Sequence, residues 1–325
     1  MRLIKHPVLC NYYVTYRCNA TCHFCDIWEK PSPFIKLSEA NQNLDALKRM
    51  GVKVVDFTGG EPLLHPQIAE LLALAKQKQF ITTLTTNGLR YPKFARQLKG
   101  LVDMLHFSLD ASTAQAHNEI RGAACFEAIM ESIPLALSLG ERPDILFTVW
   151  NGNMSEIEAI WKNICLPNKL LLILNPIFGY NNIDSKEGLS LSALQDLKRW
   201  GRKKLVYVND AFLKLREAGG NQIQKPVCKA GSSTVVIGPH NDLIVPCYHL
   251  GSKHYPLNNN LEEVYQSQEV QGLIAKEGRL EACQGCVINC YMQPSFAVNM
   301  NKYWFYALPS TFKYNFVKGT WRNLF

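Results

Sequence analysis

Six strand–helix repeats predict an α/β fold: a parallel sheet, curved or closed, with helices outside it, followed by a small cysteine-rich unit. Three observations predict it. Strand-like runs alternate with apolar stripes at helical spacing through the first two-thirds of the chain. Each strand run is followed by a polar, Gly-rich or Cys-rich segment, and in parallel α/β folds the functional loops follow the C-terminal ends of the strands. Composition then shifts near Gly219-Gly220-Asn221, beyond which the chain is rich in turns and cysteines.

Taken in order, the first strand is expected over 8–16. Ser38 is the expected N-cap of the first helix, Ala40, Leu44 and Leu47 its apolar face, and Gly51 its stop. The second strand is expected over 52–58, and Ile68, Leu71, Leu72 and Ala75 form the next helical stripe. A third strand, 80–86, ends in the turn pair Asn87-Gly88. The fourth covers 103–109, with helices near 113–120 and 126–139. The fifth and sixth cover 145–149 and 170–177, with a helix from about Ser155 between them. Ser190 or Ser192 would cap a helix reaching toward Val206. Past the composition shift, 233–237 and 243–245 flank Gly238-Pro-His-Asn-Asp242 as a β-hairpin.

Nearly half of the 325 residues are hydrophobic and 19% are charged, as in an ordinary globular protein. No apolar run approaches the roughly 20 residues that span a bilayer. The N-terminus lacks a secretory pattern, so a cytoplasmic protein is expected. Eleven cysteines are many for this length. Eight fall in closely spaced groupings, which favours metal binding over disulfides. Cys10, Cys125 and Cys165 stand alone and are expected in the core.

The net charge of +8 is unevenly placed: no Asp or Glu follows Glu281, and Lys302, Lys313, Lys318 and Arg322 stand among ten aromatic side chains in the last thirty residues. The first expectation is a final helix that packs its aromatics on the sheet and leaves its lysines in water. The alternative is peripheral contact with an anionic membrane surface. No nucleic-acid partner is expected.

Two cysteine groups carry the chemistry. Cys18, Cys22 and Cys25 follow the first strand with gaps of three and two residues. A four-iron cluster takes one ligand per iron, so three thiolates leave one iron open to a small chelating molecule. In the second group Cys228 and Cys247 bracket the hairpin, and Cys283, Cys286 and Cys290 follow it. Four of these five would suit a structural zinc ion or an iron–sulfur cluster, and spacing alone does not separate the two. Gly59-Gly60-Glu61-Pro62, Asn87, Ser108, Asp110 and Asn151 fall at the ends of strands two to five, on the rim that carries the three-cysteine loop.

On the Cys18–Cys25 loop together with Gly59-Gly60-Glu61-Pro62, the chain resembles the radical S-adenosylmethionine enzymes, and its C-terminal cysteines resemble the SPASM or twitch auxiliary-cluster domains of part of that superfamily. The resemblance implies a partial (β/α)6 TIM-type barrel over 1–220, an auxiliary-cluster domain over 221–295 and a basic aromatic tail over 296–325. It implies a 4Fe-4S cluster on Cys18, Cys22 and Cys25, with S-adenosylmethionine on its open iron, reductively cleaved to a 5′-deoxyadenosyl radical. It also places Phe24 near the adenine, Gly59, Gly60, Glu61 and Pro62 at the methionine amino group, and Ser108 and Asp110 at the ribose or carboxylate. Arg121 would hold the carboxylate, Asn87 belongs to the same rim, and Asn151 would lie near the ribose. The resemblance favours a second 4Fe-4S cluster on four of Cys228, Cys247, Cys283, Cys286 and Cys290, with the role of Cys290 open.

The expected activity is hydrogen-atom abstraction from a peptide or small metabolite, with an electron donor such as flavodoxin or ferredoxin. Only seventeen residues precede Cys18, so a peptide is expected to need a partner protein or a groove on the barrel. A lipid or isoprenoid substrate at a membrane surface is the second expectation, and a non-enzymatic cluster sensor or electron-transfer protein the third.

Overall fold

The computed structural model describes residues 2–179 and 189–319. Ten strands form one sheet in the order β10-β9-β8-β1-β2-β3-β4-β5-β6-β7. The first six are β1 Leu9–Thr15, β2 Val54–Gly59, β3 Ile81–Thr86, β4 Met104–Ser108, β5 Asp144–Val149 and β6 Leu172–Pro176. The others are β7 Val206–Tyr207, β8 Thr234–Gly238, β9 Asp242–Val245 and β10 Lys253–Pro256. Strands β8 and β1 through β7 run parallel, and β9 and β10 are antiparallel additions at the far edge.

Alternation along the strands sorts the side chains. Cys10, Tyr12, Val14, Val55, Phe57, Leu105 and Phe107 point outward into the core shared with the helices. The residues between them on three of these strands, including Asn11, Asp56 and His106, point into the barrel interior. The interior therefore carries polar groups among apolar ones where the outer layer is apolar. The Tyr91–Leu98 helix shows how the outer layer is held: Tyr91, Phe94, Ala95 and Leu98 are buried at i, i+3, i+4 and i+7. Each large apolar side chain so buried contributes about 1.5–3 kcal/mol.

The first helix, Leu37–Arg49, begins one residue before the expected cap Ser38. Glu39 supplies the cap, its carboxylate accepting a hydrogen bond from the Lys36 amide at 3.4 Å. The helix expected to run toward Val206 covers Leu191–Gly201, capped as expected by Ser190, whose Oγ accepts from the Ala193 amide. Leu205, at φ 57°, lies just before β7, which sequence reading missed because it is only two residues long.

The expected hairpin is β8–β9, and it is part of the main sheet. Leu9, Cys10, Asn11 and Tyr12 of β1 pair in parallel with Thr234, Val235, Val236 and Ile237 of β8. The cysteine-rich unit is thus joined to the barrel by backbone hydrogen bonds as well as by side chains.

The final helix, Lys302–Lys318, meets the first expectation for the tail only in part: Tyr303 is buried and Tyr314 packs on Tyr207, but two of the lysines turn inward. Lys313 Nζ donates to the carbonyls of Gly201 and Lys203, each at 2.7 Å. Lys318 Nζ lies 2.9 Å from Asp144, and Tyr314 donates its hydroxyl proton to the same carboxylate at 3.0 Å. Phe305, Phe312 and Phe316 are instead 57%, 72% and 80% exposed. The buried Asp144 and the loop carbonyls near it draw the cations inward, which turns the intervening phenyl rings to solvent. Arg322 lies outside the described residues.

Candidate metal centres and cofactor pocket

The three-cysteine loop leaves the end of β1 and is pinned to the end of the Ala114–Arg121 helix. The amides of Thr21 and His23 donate to the carbonyls of Arg121 and Ile120 at 3.0 and 3.4 Å. Gly122 closes that helix at φ 60°, and a Cβ there would stand 2.1 Å from Thr21 Oγ1. Within the loop the Cys25 amide donates to the Cys22 carbonyl at 3.1 Å. None of the eleven cysteines forms a disulfide.

Arg121 reaches this loop from below. It is buried, with NH2 2.5 Å from Asp110 Oδ2 and NH1 3.7 Å from Cys22 Sγ. Its guanidinium lies 5.3 Å from the Phe24 ring centroid. Burial disfavours its charge, and the Asp110 carboxylate more than restores it. Asp110 is held in turn by the Thr148 amide at 2.7 Å and, through its own amide, by His117 Nδ1 at 3.1 Å. Cys22, Phe24, Asp110 and Arg121 are therefore one constellation. Arg121 is turned into the protein toward Asp110.

Gly59 and Gly60 lie against the chain's own backbone. Cβ atoms there would lie 2.0 Å from the Thr15 carbonyl oxygen and 2.2 Å from that of Arg17. The chain's own backbone fills the space, and the glycines let β2 end hard against the start of the cysteine loop. Glu61 is 1% exposed and points inward. Its carboxylate accepts from the Leu63 amide at 3.0 Å, Thr86 Oγ1 at 2.8 Å and the Asn87 amide at 2.9 Å. Burial pushes its pKa up, and these donors oppose that. Pro62 starts the short helical turn that follows. Asn87 donates to Asn19 Oδ1 at 2.8 Å, so Glu61 and Asn87 brace the loop between Cys18 and Cys22 from the β3 side.

Ser108 ends β4, buried two residues before Asp110. Asn151 stands apart on the surface, its Oδ1 accepting from the Ser190 amide at 3.2 Å. The buried residue at that strand end is Asn153, which donates to the carbonyls of Asp110 and Thr148. Trp150, also missed by sequence reading, lies 6.0 Å from Phe24 and 5.2 Å from His23 between ring centroids. A tryptophan immediately before Asn151-Gly152-Asn153 was the available cue. Cys10, Cys125 and Cys165 are fully buried, as expected of core residues.

The second cysteine group is organised by one side chain. Asn221 is fully buried and donates to the carbonyls of Gly278 at 2.8 Å and Cys283 at 3.1 Å. Its Oδ1 accepts from the amides of Val227 at 2.9 Å and Cys228 at 3.2 Å. Its backbone exchanges hydrogen bonds with Cys286 and Gly285. One asparagine thus ties the Cys228 segment to the Cys283–Cys286 loop, and sequence reading had seen only a change of composition there. Cys228, Cys247, Cys283 and Cys286 line one small enclosed cavity. Cys290 does not line it: it borders the barrel interior, 3.6 Å from His249 Nε2.

Both groups suit metal clusters in their donor chemistry. The first offers three unbridged thiols with a guanidinium on one of them, ready to offset thiolate charge. The second offers four unbridged thiols around a shared void. Among the described residues no three His, Cys, Asp or Glu side chains converge as a single metal ion would require.

Comparison with known proteins agrees with this geometry. Residues 12–160 match the Radical SAM superfamily. A GTP 3',8-cyclase of Peptoclostridium acidaminophilum is 32% identical over 153 residues, which are 45% of this chain and 47% of that one. The chain thus spans about half the length of the curated relatives it matches. Streptococcus suis SuiB, solved bound to its precursor peptide SuiA, shares the fold with a TM-score of 0.67 at 17% identity, over 92% of this chain and 74% of that one. The anSMEcpe structure with bound AdoMet has a TM-score of 0.65 at 15% identity, over 98% of this chain and 100% of that one. The parallel sheet is the partial barrel shared with these structures, and it is within residues 12–160 of that barrel that the chain matches the Radical SAM superfamily.

Proposed function

We propose that this protein reductively cleaves S-adenosylmethionine at a 4Fe-4S cluster held by Cys18, Cys22 and Cys25, and abstracts a hydrogen atom from a peptide or small metabolite. The observation that carries the reading is the loop itself: three unbridged thiols pinned at a strand end, with Arg121 against Cys22. When bound, the cluster and its cofactor supply a carbon-centred radical. The chain's own residues supply the frame. Arg121 and Asp110 hold the loop from the helix side, Glu61 and Asn87 hold it from the β3 side, and Phe24 with Trp150 gives it an apolar wall. Cys228, Cys247, Cys283 and Cys286 are the four auxiliary-cluster ligands in this reading, and Cys290 is the spare thiol, because it borders the other cavity.

Two relatives support different substrates. The GTP 3',8-cyclase name points to a small molecule, and the SuiA-bound SuiB structure to a peptide. The test is anaerobic reconstitution with iron and sulfide, reduction, and chromatography for 5′-deoxyadenosine. Its formation is the expected result, and its absence from a fully loaded protein overturns the enzyme reading.

A second reading, action at a membrane surface, is favoured by the final helix. Phe305, Pro309, Phe312 and Phe316 are exposed at i, i+4, i+7 and i+11, one apolar stripe on a segment without acidic residues. Such a stripe suits an interfacial helix. No helix among the described residues is long and apolar enough to cross a membrane. The protein is expected to float with phosphatidylglycerol vesicles, and a Phe305→Ser, Phe312→Ser, Phe316→Ser variant is expected to stay in the dense fraction. Equal flotation of both, or of neither, sinks this reading.

A further inference from the structure

The barrel interior holds a cavity of about 480 Å³ whose wall contains a part-buried acid, Asp56, that forms no ion pair among the described residues. Asp56, on β2, lies level with Asn11 of β1 on one side and Thr83 of β3 on the other. The Thr83 hydroxyl donates to Asp56 Oδ1. Among the described residues, Asp56 Oδ2 and the side-chain amide of Asn11 have no hydrogen-bond partner, and no ion pair involves Asp56. Of the other charged groups of this wall, His106 lies near enough to favour the Asp56 carboxylate when protonated, and it is engaged elsewhere. His106 is held by Thr85 Oγ1 at 3.2 Å and Asp144 at 3.5 Å, and Lys53 is solvent-exposed.

A carboxylate set into an enclosure without a counter-charge is costly to the protein alone. That cost is offset when a ligand brings the cation. The open lone pairs of Asp56 Oδ2 and the free amide of Asn11 point to a nitrogen carrying several hydrogens, and the volume is that of a small-molecule site or one long side chain. We propose that Asp56, positioned by Thr83 and assisted by Asn11, receives a primary ammonium or guanidinium group of the substrate, and so selects amine-bearing molecules or basic side chains of a peptide. The inference rests on the reading of the barrel as the reaction chamber. It names the substrate class that the reading leaves open.

The test is equilibrium binding, so that its failure is distinct from a failure to cleave S-adenosylmethionine. Reconstituted protein is titrated anaerobically in a calorimeter with Nα-acetyl-lysinamide, agmatine, and Nα-acetyl-norleucinamide as the uncharged isostere. At least one cationic probe is expected to bind at least tenfold more tightly than the isostere, and Asp56→Asn is expected to abolish that preference. A melting temperature of Asp56→Asn at or above wild type shows the variant folded, since it removes a part-buried acid without an ion-pair partner. Should it fold poorly, Thr83→Val keeps the carboxylate, removes its positioning hydroxyl, and is expected to weaken the cationic probe alone. Equal binding of the isostere, retained preference in both variants, or no binding of either cationic probe to wild type overturns the proposal.

Discussion

Replacing Cys18, Cys22 and Cys25 together with alanine is expected to leave no measurable cleavage of S-adenosylmethionine, while the cluster of the C-terminal cysteines persists. Changes that merely surround a metal typically cost about 10–100-fold, so removal of three direct ligands is expected to exceed that and reach the detection floor. Iron is expected to fall from about eight to about four atoms per chain, one four-iron cluster's worth. The remaining charge-transfer absorbance would come from Cys228, Cys247, Cys283 and Cys286, whose cavity is organised by Asn221 and does not include the altered loop. Retained cleavage overturns the assignment of the first site. Loss of all iron overturns the independence of the second.

The second large effect is expected from the buried pair of Asp110 and Arg121. Asp110→Asn leaves a guanidinium under the cysteine loop without its partner, and Arg121→Met strands a carboxylate that retains only the Thr148 amide. Each single change is expected to cost about 3–5 kcal/mol, as broken buried pairs do. The double variant Asp110→Asn, Arg121→Met is expected to recover much of this, because no uncompensated charge remains. Denaturant unfolding of all four proteins gives the coupling free energy directly. Additive losses sink the idea that the pair acts as a unit. The cycle also bears on the carboxylate-holding role implied for Arg121: a double variant with restored stability and unchanged S-adenosylmethionine affinity would confine Arg121 to its structural contacts.

Much of this was legible in the sequence because the chemistry is local. A cysteine loop with gaps of three and two residues carries its meaning within eight positions. The first six strands announce themselves by apolar runs that end in polar turns. What could not be read depends on contacts between distant segments. Gly59 and Gly60 were legible as positions that need glycine, but the neighbour demanding it, the backbone of Thr15 to Arg17, is known only once β1 and β2 lie side by side. Glu61 gave no sign in the sequence of its donors Thr86 and Asn87, which lie 25 and 26 positions on. The lysines of the final helix looked solvent-bound because Asp144 lies 174 positions before Lys318 in the sequence. Asn221 had no signal beyond a pair of glycines, yet it joins three of the four cysteine segments' supports.

The pairing of β8 with β1 carries a consequence for any attempt to divide the chain. Strand β1 is an interior strand only because residues 234–237 cover one side of it. A fragment stopped before residue 221 would present the open backbone of Leu9 to Tyr12, with Cys10 and Tyr12 among its side chains, as a bare template for another molecule's strand. Such edges seed self-association. The cysteine-rich unit thus acts as a guard on an inner strand of the barrel, so the two parts of the chain are expected to resist self-association only as one piece.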